Sequence, residues 1–405
     1  MIRLSLLASG AALVLLSGCG GAKTDANGFT IDPDFEKKLQ EKLLDAKPGD
    51  VIEIPAGKYA LSRSLSLTAN GVTIKGAGMK ESILSFARQS SGAEGILVTG
   101  DDFTIQDLAI EDTKGDALKI NGTKNAVIRR VRAEWTGGSK TSNGAYGLYP
   151  VQVTNVLIEG SVVRGASDAG IYVGQSNNII VRNNRAHGNV AGIEIENSTG
   201  ADVYGNTAAG NTGGILVFNM PNLPVPGSKT RVFRNHVKAN NHANFGAAGS
   251  AVSSVPPGSG VIVNSNDEVE IFDNDIVGNQ TANVIISSYY STGFGTKRGI
   301  AAAYDPYPEN IYVAGNRFSG GGDKPPAKFA PLMALGGGRL PDVMWDGFTN
   351  PKIGDPGICV QNGAAKMLNI DLPGQFAHAH IQTADCAPKT RLPEIKLPAS
   401  MTGDK

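Results

Sequence analysis

An excess of charge of either sign is absent. Over 405 residues, 37 Lys and Arg balance 37 Asp and Glu, which excludes capture of nucleic acid by bulk charge. Aromatic residues make up only 6% of the chain, so its core is not built from large rings. Cysteine is scarce: there are three, and no Cys-x-x-Cys-His run that would attach a c-type haem. The one long apolar run, residues 4–16, is too short to span a bilayer as a helix. Glycine is what abounds. Its 52 occurrences, without a collagen period, imply many tight turns.

The N-terminus reads as an export signal. Arg3 precedes the apolar run, and Leu16-Ser17-Gly18-Cys19 follows it, with small residues where a signal peptidase cuts. The four residues resemble a bacterial lipobox, which implies a signal peptide over 1–18, acylation of Cys19 and a polar tether over 19–31. Gly rather than Asp after Cys19 implies sorting to the outer membrane, facing the periplasm, with the lipid as the membrane contact. Cys359 and Cys386 remain, an even pair expected to form a disulfide in an oxidising compartment. His378 and His380 lack a third ligand nearby, so no metal is expected there.

The strongest signal is a repeat. Segments that open on a small residue or Asn and continue in apolar alternation begin at Gly95, Ala117, Gly147, Gly170, Gly192, Gly214, Gly260 and Asn283, at spacings of 22, 30, 23, 22, 22, 46 and 23. Asn184, Asn206 and Asn274 each lie 14 residues beyond such a start, and Asn189, Asn211, Asn240 and Asn279 follow Asn184, Asn206, Asn235 and Asn274 by five. A unit of about 22 residues cannot bury its own apolar face, whereas stacked units share one core. The expected fold is therefore all-β: a right-handed parallel β-helix over 32–322, its hand following from the usual hand of parallel crossovers. The Asn columns suit αL corners and coil-to-coil hydrogen bonds. Asp32-Pro33 before Phe35, Leu39, Leu43 and Leu44 predicts an amphipathic helix capping the first coil. Beyond Gly322 the period fades, and residues 323–405 are expected to form an irregular C-terminal cover held by the disulfide.

The helix cap, Ile54-Pro55-Ala56-Gly57-Lys58-Tyr59, Ile74-Lys75-Gly76-Ala77-Gly78 and the coils resemble the pectin-lyase-like superfamily, with its carbohydrate-binding and sugar-hydrolase type repeats. Residues 144–218 with Asp305-Pro306-Tyr307-Pro308 are similar to a family of bacterial parallel β-helix repeat lipoproteins. Members of that family are often encoded beside a di-haem cytochrome-like exported protein, which implies such a partner.

Alternation within strands points Ile96, Leu118, Leu148, Ile171, Ile193 and Ile215 inward. The next residues, Leu97, Lys119, Tyr149, Tyr172, Glu194 and Leu216, then form an outward column. Two positions on, Thr99, Asn121, Val151, Gly174, Glu196 and Phe218 form another. Coils stack about 4.8 Å apart, so Lys119, Tyr149, Tyr172 and Glu194 are expected in a stripe of about 14 Å. Insertions near 136–143, 220–229, 241–257 and 289–308 flank this face and would wall a groove. A groove with aromatic platforms and a few charges suits an extended polysaccharide; a merely solvated sheet face is the alternative.

Tyr146-Gly147-Leu148-Tyr149-Pro150-Val151, with Lys119 one coil earlier, resembles the Tyr-Gly-(Phe/Val)-Asp-Pro-His motif and Lys of mannuronan C5-epimerases, with Tyr149 in place of the Asp and Val151 in place of the His. The resemblance implies a uronate lyase or epimerase-like reaction, with Lys119 neutralising the uronate carboxylate and Tyr149 or Tyr172 acting if its phenol pKa is depressed. Glu194 joins them as a catalytic candidate, and Asn121, Tyr146, Asp168, Glu196 and Phe218 are substrate-binding candidates. Two other readings stay open. Glu194 and Glu196, about 6.5 to 7 Å apart along the strand, suit an inverting glycosidase, or the chain is a non-catalytic binding or scaffold lipoprotein. No cofactor is required, although Asp116, Asp168 and Glu196 would suit calcium. An exposed apolar patch through Leu97, Leu216, Phe218 and Ile262 would favour the scaffold.

Overall fold

The computed structural model describes residues 23–293, 303–382, 386–387 and 390–403. Cys19 and the expected signal peptide lie outside them. The chain winds into a solenoid whose strands stack in two long ladders, one of 19 strands and one of 12, and every pairing among the named strands is parallel except the last. The 12-strand sheet begins with Arg63–Leu67 and runs through Leu118–Asn121, Leu148–Val151, Ala169–Gly174, Ala191–Glu196, Gly213–Phe218, Ser259–Asn264 and Ala282–Ser287. Its register aligns Leu118 with Leu148, Leu148 with Ile171, Ile171 with Ile193, and Ile193 with Ile215. All these residues are fully buried in one continuous apolar core, the payoff of stacking units that cannot close alone.

The asparagines hold the corners. Asn184, Asn206, Asn235, Asn274, Asn316 and Asn362 form one ladder, each amide nitrogen donating to the Oδ1 of the next at 2.8–3.1 Å. Asn189, Asn211, Asn240 and Asn279 form a second. In both, the side chain also receives a backbone N–H and donates to a carbonyl, so buried polar atoms at the bends are paired.

The cap helix spans Phe35–Leu44 and buries Leu39 and Leu43. Two details depart from expectation. The helix begins after Asp34, leaving Pro33 outside it, and Leu44 is exposed because it lies on the solvent side of the last turn. The ladder also runs past Gly322. Val343–Trp345 pairs with the Ala282–Ser287 strand, Cys359–Gln361 extends the larger sheet, and Met367–Asn369 adds a further rung. The sequence period is hidden there by the inserted 3-10 segment Ala327–Gly336. Cys359 and Cys386 are disulfide-bonded with Cα atoms 5.8 Å apart. From there the C-terminal segment runs back along the larger sheet: Arg231 donates to the Leu392 carbonyl, Asn178 to that of Lys396 and Arg129 to that of Met401.

Candidate functional site

The outward columns are in register as the alternation requires. Lys119 pairs with Tyr149, Tyr172 with Glu194, and Glu194 with Leu216, while Asn121 pairs with Val151, Gly174 with Glu196, and Glu196 with Phe218. Tyr146, which precedes its strand, joins Tyr149 and Tyr172 in an aromatic cluster with ring centroids 4.4, 4.6 and 5.0 Å apart. A cleft of about 390 Å³ lies beside it. Tyr146, Asp168, Glu194 and Glu196 line one side, and Met220, Leu223 and Val252 line the other. Two of the inserted loops, at 220–223 and 250–252, therefore wall the cleft.

Its floor is a carboxyl cluster. Tyr172 lies down along its own strand over Gly174, where a Cβ would sit 2.3 Å from the ring, and its hydroxyl donates to Glu196 Oε1 at 2.8 Å. Tyr146 and Asp168 line the cleft together, and the tyrosine tempers the rise of the Asp168 pKa. Glu194 is 1% exposed, and among the described residues no N–H or O–H donor reaches its Oε2; the neighbouring carboxyl is Glu196. A proton kept by Glu194 and donated to Glu196 satisfies the pair.

The electrostatics agree. Burial, reinforced by Asp168 and Glu196, raises the Glu194 carboxyl well above the ordinary carboxylate range. Burial pushes Glu196 up to about 6, held back by the hydrogen bonds from Tyr172 and Glu194. Burial, with Glu196 and Asp116 nearby, pushes Asp168 up to about 8. The three carboxyls thus titrate as one coupled cluster that keeps protons to higher pH than ordinary carboxylates do.

Several expected roles change. The phenols are not depressed: burial and the surrounding carboxylates push Tyr149 up to about 12 and raise Tyr146 and Tyr172 well above 10, so these rings do not serve as bases. Lys119 does not line the cleft; its Nζ lies 3.8 Å from Glu94 Oε1 and 5.2 Å from the Tyr149 ring centroid. Glu194 and Glu196 are neighbours on the cleft floor, and each bears on the other's titration. Asn121 is part-exposed three coils upstream of Glu196, and Phe218 is buried beside a smaller apolar cavity; neither lines the cleft. Leu216, Phe218 and Ile262 are buried beneath the inserted loops, so no exposed apolar patch forms through them.

Asp116 accepts the Tyr146 backbone N–H and is pushed up to about 6, mainly by burial. Among the described residues no group of three or more His, Cys, Asp or Glu is arranged to hold a metal ion, the Asp116, Asp168 and Glu196 set included. His380 Nδ1 contacts the His378 carbonyl. The coupled titration of the cluster was invisible in the sequence, which gives the column but not the loops that wall the cleft.

A family model for the right handed beta helix region matches residues 136–318. Among solved structures, the chain is similar to the A-module of mannuronan C-5 epimerase AlgE4 of Azotobacter vinelandii, with 18% identity and a TM-score of 0.50 over 84% of this chain and 93% of that one. It is similar also to the A-module of the AlgE6 epimerase of the same organism, with 18% identity and a TM-score of 0.51 over 85% of this chain and 91% of that one. No curated protein matches the sequence. At such identity the likeness is one of fold. With the stacked parallel ladders, it makes this chain a right-handed parallel β-helix protein.

Proposed function

We propose that the protein binds an extended glycan against the Tyr146, Tyr149 and Tyr172 cluster and hydrolyses it by acid–base chemistry in the adjacent cleft. The observation that carries this reading is the carboxyl cluster lining a walled cleft beside the tyrosines, with Glu194 buried, Glu196 accepting from the Tyr172 hydroxyl, and burial pushing Asp168 up to about 8 and Glu196 up to about 6. Asp168 delivers its proton to the glycosidic oxygen as the carbon–oxygen bond breaks. Glu196 accepts a proton from the attacking water, whose oxygen bonds to the anomeric carbon, so one water is consumed and both new ends are complete. Glu194 shares its proton with Glu196 and sets that group's basicity. Tyr146 and Tyr172 orient the two working carboxyls, and sugar CH faces stack on the exposed edges of the rings.

Hydrolysis fits better than β-elimination. Among the described residues no Lys or Arg lines the cleft, and Lys119 is engaged by Glu94, so these residues offer a uronate carboxylate no cation beside Glu196. The epimerase modules of similar fold act on mannuronan, which supports an extended polysaccharide as the class of ligand while leaving its charge open. The lipobox reading places the protein in the bacterial envelope, anchored through Cys19 at the outer membrane and facing the periplasm, where an exported partner is accessible. Incubating the purified protein with neutral and uronic-acid polysaccharides, while following reducing ends and the ultraviolet absorbance of unsaturated ends, tests the reaction. Reducing ends without absorbance are expected. Absorbance growth would establish elimination instead, and silence in both channels would favour the scaffold reading.

A further inference from the structure

The outward column changes character along the solenoid. Lys119 and Tyr149 are partly exposed; Tyr172 and Glu194 are buried, Leu216 is completely buried and Ile262 nearly so. The change has a cause on the next two coils. The 3-10 segment Ala251–Ser254 is laid across the sheet face, Val252 and Val255 packing with Leu216 and Ile262. Asn244 ties the segment down by donating to the carbonyls of Val252 and Val255. Met220 and Tyr289 close the same side, and Tyr304 packs against Tyr289 and donates to the Asn219 carbonyl.

From this we infer that the cleft takes the end of a glycan chain and not its middle. The inference rests on the glycan reading of the cleft and deepens it. A chain cleaved internally must continue past the reacting bond in both directions, which requires outward positions to be open on both sides of Glu194. Among the described residues they are open toward Tyr149 and Lys119 and covered on the other side. Beyond Glu194 the next two rungs, about 10 Å of sheet, lie under Val252 and Val255. That length would otherwise seat about two sugar units. The polymer therefore lies over the tyrosines and points one terminus at the carboxyl floor, with Ala251–Ser254 as the end wall.

The product pattern tests this. Hexasaccharides of β-1,4-glucan, xylan, mannan, chitin and polygalacturonate, each tagged at the reducing end, are incubated with the purified protein, and early products are sized by mass spectrometry. The expected result is a mono- or disaccharide and its shortened remainder, exceeding mid-chain products by about tenfold, with the tag showing which terminus enters. Replacing residues 245–254 by a short Gly-Ser turn is expected to shift the products toward mid-chain cuts. Predominant mid-chain cleavage by the unaltered protein, lost in Glu196→Gln, would overturn the chain-end inference and leave the glycan reading standing. Neither cleavage nor binding of any of these hexasaccharides would overturn both. Should the loop variant fail to fold, the products of the unaltered protein decide the matter.

Discussion

The Tyr172 hydroxyl reaches Glu196 Oε1 at 2.8 Å across one coil of the solenoid, and it does so over a glycine. A Cβ at Gly174 would meet the far end of the Tyr172 ring, which can swing away. Gly174→Ala is therefore expected to displace the phenol at a cost of about 1–3 kcal/mol of stability. Glycan turnover per folded molecule should fall about tenfold, with the fold retained by circular dichroism. An unchanged rate would show that Tyr172 does not position Glu196.

The carboxyl cluster gives the activity a pH window. Turnover requires Glu196 ionised, with its pKa at about 6, and Asp168 protonated, with its pKa at about 8. The profile of kcat/KM is expected to be bell-shaped between those limits, its limbs belonging to the coupled cluster.

Stability follows a different course in the same range. Asp168, Glu194 and Glu196 all have folded pKa values raised above their ordinary ones, so between about pH 4 and 8 the folded state binds more protons than the unfolded state. Their contribution is complete below the ordinary carboxylate pKa and is lost as pH rises through the folded values. Glu194→Gln, which keeps a donor for Glu196 and removes one titrating group, should flatten the fall of Tm with pH. A parallel fall in the variant would contradict the assignment of a retained proton to Glu194.

The Asn ladders predict the reverse of a site mutation. Asn211 accepts from the Asn189 backbone and side-chain amides and donates to Asn240 Oδ1 and the Ala186 carbonyl, all in buried surroundings. Asn211→Ala leaves several of these groups unpaired and should cost about 2–4 kcal/mol, read by urea denaturation, with kcat unchanged in the protein that remains folded.

Much of this architecture is legible in the sequence because stacking forces a period. The apolar positions from Ile96 to Ile215, the two Asn columns and the outward order of Lys119, Tyr149, Tyr172 and Glu194 follow from alternation and spacing alone. What the sequence could not carry is the environment supplied by inserted loops. Val252 and Met220 carry no repeat signal, yet they line the same cleft as Glu194. For the same reason the sequence does not show that Phe218 and Lys119 lie outside the cleft lining. Lys119 is in its predicted column, but the choice of Glu94 as its partner depends on a side chain outside that column. Past Gly322, insertions longer than a coil conceal two further rungs that the backbone still forms.

The central claim is that the Asp168, Glu194 and Glu196 cleft, and not the Lys119 end of the stripe, performs the chemistry. Its most direct test is kcat/KM on a cleaved glycan for Asp168→Asn, Glu196→Gln and Lys119→Ala, measured side by side. Losses of at least about a hundredfold are expected for the first two, and less than about threefold for Lys119→Ala. A collapse in Lys119→Ala with activity retained in Asp168→Asn would contradict the account and return the reaction to the upstream end of the stripe.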